Sequence, residues 1–314
     1  MPYPAHDTSI YHVEVDPSRD NDAHAYMLRL VGCNKRVLEL GCTSGHMTRA
    51  LVQQGCSVVG VELDAAAAAL AREAADEVIV GDLDQPATLE ALAPRRFDVI
   101  VAGDVLEHLR EPLAPLRAAR GLLDPGGELV VSIPNVAHAD VRLRLLDGDF
   151  PYHPFGLLDT THLRFFSWET LKALLHTAGF VPLQTMRVIV PMFASELGVD
   201  RNRVDPQVLD AILQDPEAET YQFVVRAVLD DGNGAVRAAA SRLEQLEAEV
   251  RHLVIDRALL RQRMAGVEAQ LEEAAYRAEA AEREVAAYRN TRLFRHTYQA
   301  RQLYGRLRGV NQRL

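Results

Sequence analysis

Val37-Leu38-Glu39-Leu40-Gly41-Cys42-Thr43-Ser44-Gly45 is the stretch that decides the fold of this chain. An apolar run carrying one acid leads into a turn bracketed by two glycines, and from His46 the pattern becomes helical. Such a turn brings backbone without side chains up to a ligand. The helix behind it aims its unpaired N–H groups and the positive end of its dipole at the same point.

Outward from this turn the pattern alternates. Arg36–Leu40, Ser57–Glu62, Glu77–Val80, Phe97–Ala102 and Glu128–Ile133 read as buried strands. Gly45–Gln54, Ala65–Ala75 and Leu113–Leu123 read as helices, the last stopped by Asp124-Pro125-Gly126-Gly127. Continuous apolar strands between helices predict a parallel sheet covered on both faces. A helix capped by Ser167 and ending at Gly179 is followed by two more strands, Phe180–Pro191 and Thr220–Leu229. Met192–Glu219 is their connection. The expected fold is α/β: a seven-stranded doubly wound sheet with helices on both faces, followed by a long α-helical coiled coil.

Ligands of such sheets bind beyond the carboxyl ends of the strands. The informative polar residues fall there. Glu39 and Gly41 close the first strand, and Glu62 closes the second, where an acid can accept both hydroxyls of a ribose. Gly81-Asp82-Leu83 follows the third strand, with Asp82 placed to accept from an adenine amino group, and Asp104-Val105-Leu106-Glu107-His108 follows the fourth. The nicotinamide fingerprint G-x-G-x-x-G is not completed, because Met47-Thr48 occupies the place of its third glycine, and the phosphate loop G-x-x-x-x-G-K-[ST] is absent.

The ordered set E-L-G-C-T-S-G, V-V-G-V-E, G-D-L, D-V-L-E-H-L and L-L-D-P-G-G-E-L resembles the class I adenosylmethionine (SAM)-dependent methyltransferases over about residues 35–230. The resemblance implies SAM as cofactor, held by Glu39, Gly41, Cys42, Thr43, Gly45, Glu62, Leu63, Gly81, Asp82, Leu83 and Asp104. Thr43 stands where the family often has a second glycine, which is tolerable if its backbone keeps an ordinary conformation. Residues 1–34, with Tyr3, Tyr11, Tyr26 and a helix over Asp22–Leu30, form a lead-in expected to lie over the cofactor.

Residues 135–166 interrupt the alternation with an irregular insertion rich in histidine, aromatics and turn formers, on the substrate side of the sheet. Methyl transfer from an activated sulfonium mainly needs alignment, and an oxygen acceptor also needs its proton removed. His108 and His162, the latter beside Asp159, are the candidates for that base. Asn135, Tyr152, His153 and Arg164 are the candidate substrate contacts. For His138 and His153 a loop-ordering hydrogen bond is the plainer role. D-x-x-E-H is also similar to the E-x-x-E-H of ubiquinone-pathway O-methyltransferases, which implies Asp104, Glu107 and His108 as ligands of a divalent metal. The L-E-H core is widespread in metal-free relatives, so a metal-free site is the first expectation.

The polar and aromatic insertion suits a sugar or glycan acceptor, as in surface-polysaccharide assembly. The alternatives are a quinone- or natural-product-type O-methyltransferase and a non-catalytic coiled-coil scaffold that keeps the SAM fold. A net charge of -10 argues against a nucleic-acid partner. Cys33, Cys42 and Cys56 form no C-x-x-C pair, which fits a reducing compartment, and there is no membrane-length apolar run or signal-peptide pattern at Met1-Pro2-Tyr3-Pro4. The expected location is cytoplasmic.

Composition changes after Asp230-Asp231-Gly232-Asn233-Gly234, the end of a catalytic domain expected at 35–231. Within 235–288, Val236, Leu243, Val250, Arg257, Met264, Leu271, Ala278 and Val285 occupy heptad position a, and Ala239, Leu246, Leu253, Leu260, Val267, Ala274, Ala281 and Tyr288 occupy d. A homo-oligomer follows, first as a parallel dimer and second as a trimer. Residues 289–314 carry seven arginines and no acid, interleaved with Leu293, Phe294, Tyr298, Leu303 and Tyr304. Such a basic amphipathic tail suits an anionic membrane surface at the inner face.

Overall fold

The computed structural model describes residues 15–230, 232, 235–290, 297–298, 300 and 302–306. Tyr3 and Tyr11 of the lead-in and most of the basic tail lie outside the described residues. Contacts divide the chain into two units, Met1–Glu249 and Val250–Leu314.

The first unit opens with α1 (Ala23–Val31), capped by the Asp22 carboxylate, which accepts from Ala25 N–H. The alternating part then runs β1 (Arg36–Leu40), α2 (His46–Gln53), β2 (Ser57–Glu62), α3 (Ala65–Ala71), β3 (Glu77–Val80), α4 (Pro86–Glu90), β4 (Phe97–Gly103), α5 (Leu113–Arg120) and β5 (Leu123–Pro134). It is followed by α6 (Ala139–Leu146), α7 (Trp168–Ala178), β6 (Phe180–Ile189), α8 (Pro206–Leu213) and β7 (Thr220–Leu229). Then α9 (Ala235–Asn290) crosses into the second unit. No helix among the described residues is long and apolar enough to cross a membrane.

The seven strands lie in the order β3-β2-β1-β4-β5-β7-β6. The first five pair in parallel, whereas β7 runs antiparallel to both β5 and β6. Burial on both faces explains why the middles of the parallel strands are mostly apolar. Val37, Val99 and Val101 pack with Met27, Leu28, Met47 and Leu51 of α1 and α2. Their neighbours Leu38, Ile100 and Ala102 pack with Leu116, Leu171 and Leu175 of α5 and α7 on the other face. The chain leaves β1 towards β2 on one side, and β4 lies on the other, so the strand order reverses between β1 and β4. The crevice at their carboxyl ends is the place where doubly wound sheets bind ligands.

Three local expectations need correction. Asp124-Pro125-Gly126-Gly127 is a kink inside β5 and not only a helix stop: Leu123 already pairs with Phe97, and Glu128 with Val99. Gly126 takes φ 81° to make that irregularity. The insertion at 135–166 is not irregular throughout, because α6 lies inside it. His138 caps α6 with Nδ1 accepting from Asp140 N–H, while Nε2 donates to Val190 O. Finally, α3 stops at Ala71, where the expected helix ran to Ala75.

Candidate active site

Two turns meet at the β1/β4 crevice. The first is Gly41–Gly45, between β1 and α2. Residues 41, 43 and 45 all have left-handed backbones, with φ of 68°, 46° and 82°. Thr43 therefore departs from the ordinary conformation expected of it. A threonine there is strained, and two contacts hold it: its N–H donates to Glu62 Oε2 at 2.9 Å, and Oγ1 lies 3.2 Å from His46 Nδ1. Glycine is required at 41 and 45 for space as well as angle. A Cβ on Gly41 would meet Val105 Cγ2 at 2.6 Å, and one on Gly45 would meet the Ala71 Cα at 2.8 Å. Gly45→Ala should lower unfolding stability by about 2–4 kcal/mol, since it combines a positive φ with a backbone clash. An unchanged urea midpoint would refute this account of the turn.

Glu62 ties the turn to β2. Its Oε2 accepts from Thr43 and its Oε1 from Asp64 N–H at 2.8 Å, which leaves further lone pairs on both oxygens for a diol. Leu63 beside it is exposed. The other expected cofactor residues divide. The Asp82 carboxylate accepts from Asp84 N–H and so shapes its own turn. Gly81 makes room for Thr88, whose Cγ2 a Cβ would meet at 2.5 Å. The side chains of Leu83 and Cys42 are buried in the core, so a contact of either residue with the cofactor would be made through its backbone. Burial drives the Cys42 thiol far above its usual pKa, with the charges of Glu39 and Glu62 adding to it.

Glu39 is buried under the turn, where Thr48 Oγ1 donates to its Oε2 at 2.5 Å. Burial pushes its pKa from 4.5 up to about 7, against the pull of that hydrogen bond. His46, at the start of α2, moves the other way. Burial, then His24 and Arg49, lower it from 6.5 to about 4. The two shifts act with opposite sign over overlapping pH ranges. A raised Glu39 means that the folded state holds a proton the unfolded chain has lost, so stability falls as pH rises from about 4.5 through 7. A lowered His46 means that the unfolded chain takes up a proton first, so stability falls as pH drops from about 6.5 towards 4. Glu39→Gln should therefore stabilise the protein at pH 8 by roughly 1–3 kcal/mol and by little at pH 5. Denaturant melts at both values check this; an equal effect at the two pH values would contradict it.

The second turn follows β4. Asp104 has φ 52°, and its Oδ1 accepts from Ser132 Oγ at 3.0 Å and Gln222 Nε2 at 2.5 Å. Leu106–His108 form one 3-10 turn beyond it. His108 is oriented from the insertion: its Nδ1 lies 3.2 Å from Thr161 O and 3.1 Å from Thr161 Oγ1. A carbonyl only accepts, so Nδ1 carries the proton and the imidazole lone pair is on Nε2, the form that takes a proton from substrate. Asp159 acts one step back. Its Oδ1 accepts from the N–H and Oγ1 of Thr161, both at 2.7 Å, so it holds the residue that holds His108. The His162 ring stands edge-on to His108 with centroids 5.0 Å apart. Burial first, and then His108, lower the His162 pKa.

Glu107 points into this cluster's interior. Its side chain is buried, neither carboxylate oxygen has a hydrogen-bond partner, and burial raises its pKa well above the ordinary value, with Asp104 adding to the shift. Glu107, His108 and His162 offer ligand atoms within 4.8 Å of one another, so these three are the residues fit to hold a divalent cation. The expected set of Asp104, Glu107 and His108 is corrected accordingly, because Asp104 turns to Ser132 and Gln222.

The expected substrate contacts also divide. Asn135 is buried and donates to Glu217 O and Thr220 O, so it braces the fold. Arg164 donates to Arg110 O from an exposed position. His153 pairs through its backbone with the 158–160 segment. Tyr152 alone of the four is an exposed side chain that continues the cluster. Rings run in edge-on contact from His108 to His162, Phe165, Phe150 and Tyr152. Thr161, Gln222, Phe150 and Phe165 were missed by the sequence reading. Only the T-T-H triplet beside Asp159 carried any signal for Thr161.

Among curated proteins, the chain is 33% identical over 128 residues to a ubiquinone biosynthesis O-methyltransferase of Stutzerimonas stutzeri, covering 39% of this chain and 53% of that protein. It is 36% identical over 104 residues to one from Pseudomonas aeruginosa, covering 32% and 45%. The chain thus spans about half the length of the curated relatives it matches. Among solved structures, a SAM-dependent methyltransferase from Archaeoglobus fulgidus superposes with a TM-score of 0.48 at 19% identity, over 65% of this chain and 91% of that one. The family model described as a methyltransferase domain matches residues 19–185, more than half of the chain. With that match spanning the whole crevice from α1 to β6, the chain belongs to the methyltransferase domain family.

Proposed function

We propose that this protein is a SAM-dependent O-methyltransferase whose acceptor is a hydroxylated, planar small molecule of the phenol or quinol kind. The observation that carries the reading is the placement of two turns at one crevice. The Gly41–Gly45 turn with Glu62 suits the cofactor's amino-acid and ribose parts. His108, with its lone pair on Nε2, stands beside it at the end of β4. The cofactor brings an already activated methyl group, so the protein's tasks are alignment and removal of the acceptor's proton. His108 takes that proton from the hydroxyl at Nε2, while Thr161, itself held by Asp159, fixes the ring.

The acceptor class rests on two supports. The curated relatives are named for ubiquinone biosynthesis. The rings of His162, Phe165, Phe150 and Tyr152 suit a flat apolar body better than a sugar. The glycan acceptor expected from the insertion's polar residues loses ground, because Asn135 and Arg164 are spent on the fold. The test uses labelled SAM with a panel of catechols, phenols, nucleotide sugars and free sugars. Transfer to a catechol or phenol supports the reading. Transfer only to sugars would restore the glycan acceptor.

A further inference from the structure

The most informative surface outside the crevice is on α9. We infer that α9 pairs with α9 of a second copy of this chain as a parallel, in-register, two-stranded coiled coil, and that its flanking charges encode that arrangement. Three observations carry the inference.

First, the first unit holds the start of the helix away from its a/d seam: Arg237, at position b, pairs with Asp230. Position e of the first two heptads is Ala240 and Glu247. Ala240 is buried, and Glu247 lies 3.9 Å from Arg187, which also pairs with Glu217. Of the described seam positions, Leu243, Leu246 and Val250 are 36%, 41% and 58% exposed, and further along Leu271 and Val285 are 70% and 52% exposed. A helix that merely docked on its own domain would cover those positions first.

Second, the charges beside the seam match for a parallel pair. In that arrangement each g position faces the e position five residues on in the other chain. From Glu249 onward the sequence gives Glu249 with Val254, Asp256 with Arg261, Arg263 with Glu268, Gln270 with Ala275, Arg277 with Glu282, and Glu284 with Arg289. Four pairs are opposite in charge and no pair is like-charged. An antiparallel pair sets g against g; centred on Gln270 it would bring Arg263 against Arg277 and Asp256 against Glu284, like charges in both cases.

Third, Arg257 is the single charged residue at a or d. A polar group at one a position fixes register and favours two strands, where it can reach solvent, over three.

The test uses the full chain. Sedimentation velocity should give a mass twice the 34.8 kDa of one chain. Arg263→Glu with Arg277→Glu turns two g–e pairs into acid against acid. Glu268→Arg with Glu282→Arg turns the same two into base against base. Each variant alone should dissociate about tenfold or more readily than wild type. Mixed together, the two should form the hetero-pair and recover wild-type affinity, which also shows that neither has lost its helix. A monomeric wild type, a three-chain mass, or variants that self-associate normally and show no preference for each other would each overturn the inference.

Discussion

Replacing His108 with alanine should lower the methylation rate about 10²–10³-fold while leaving cofactor affinity unchanged, because a positioned proton acceptor contributes on that scale. The geometry predicts a graded series. Thr161→Val removes the hydroxyl beside Nδ1 but keeps the carbonyl that accepts from it, so the ring stays in its working tautomer and the loss should be smaller. Asp159→Asn should fall in the same smaller class, since Asp159 reaches His108 only through Thr161. Single-turnover kinetics separate these losses from binding. If His108→Ala kept the full rate, or if Asp159→Asn cost more than His108→Ala, the assigned roles would be wrong. His162 is the control: its ring supports His108 edge-on, so His162→Phe should retain more activity than His108→Phe.

The second large effect is on cofactor binding. Glu62→Ala removes the proposed acceptor for the ribose and also frees the Thr43 and Asp64 N–H groups that the carboxylate holds. A hydrogen bond to a charged group is worth about 1.5–3 kcal/mol, so the affinity should fall about 10- to 10²-fold. Glu62→Gln keeps an amide oxygen for one partner but offers N–H groups to the other, so its loss should lie between wild type and alanine. Calorimetry with S-adenosylhomocysteine reads both. An alanine variant that bound as wild type does would remove Glu62 from the site.

The parts of this architecture that were legible in the sequence share a physical cause. Buried parallel strands are mostly apolar, so their ends stand out as the first glycines and acids after each run. That spacing alone places Gly41, Glu62, Asp82 and Asp104 at one edge. The elements that were misread depend on tertiary pairing. The Asp124-Pro125-Gly126-Gly127 segment has every local sign of a turn, yet Leu123 pairs with Phe97 and keeps the strand going on both sides of it. In α6, Val141, Leu143 and Leu145 alternate by two, so the helix does not announce itself; His138 and the Asp140 carboxylate, which accepts from Phe193 and Ser195, hold it. The site shows the same division. His108 was visible in D-V-L-E-H, but its orienting partner Thr161 is 53 residues away. Leu83 looked like a cofactor contact because of its motif, and its side chain turned out to serve the core. Residue type and spacing picked out the candidate edge, while the direction of each side chain was decided by neighbours distant in sequence.

The proposed function stands or falls with SAM binding in the β1/β4 crevice. The most direct measurement is a calorimetric titration of the full chain with S-adenosylhomocysteine, with NAD as a comparison. Saturable binding at one site per chain is expected, weakened by Glu62→Ala, with no binding of NAD. No heat with S-adenosylhomocysteine, or equal binding of both ligands, would contradict it.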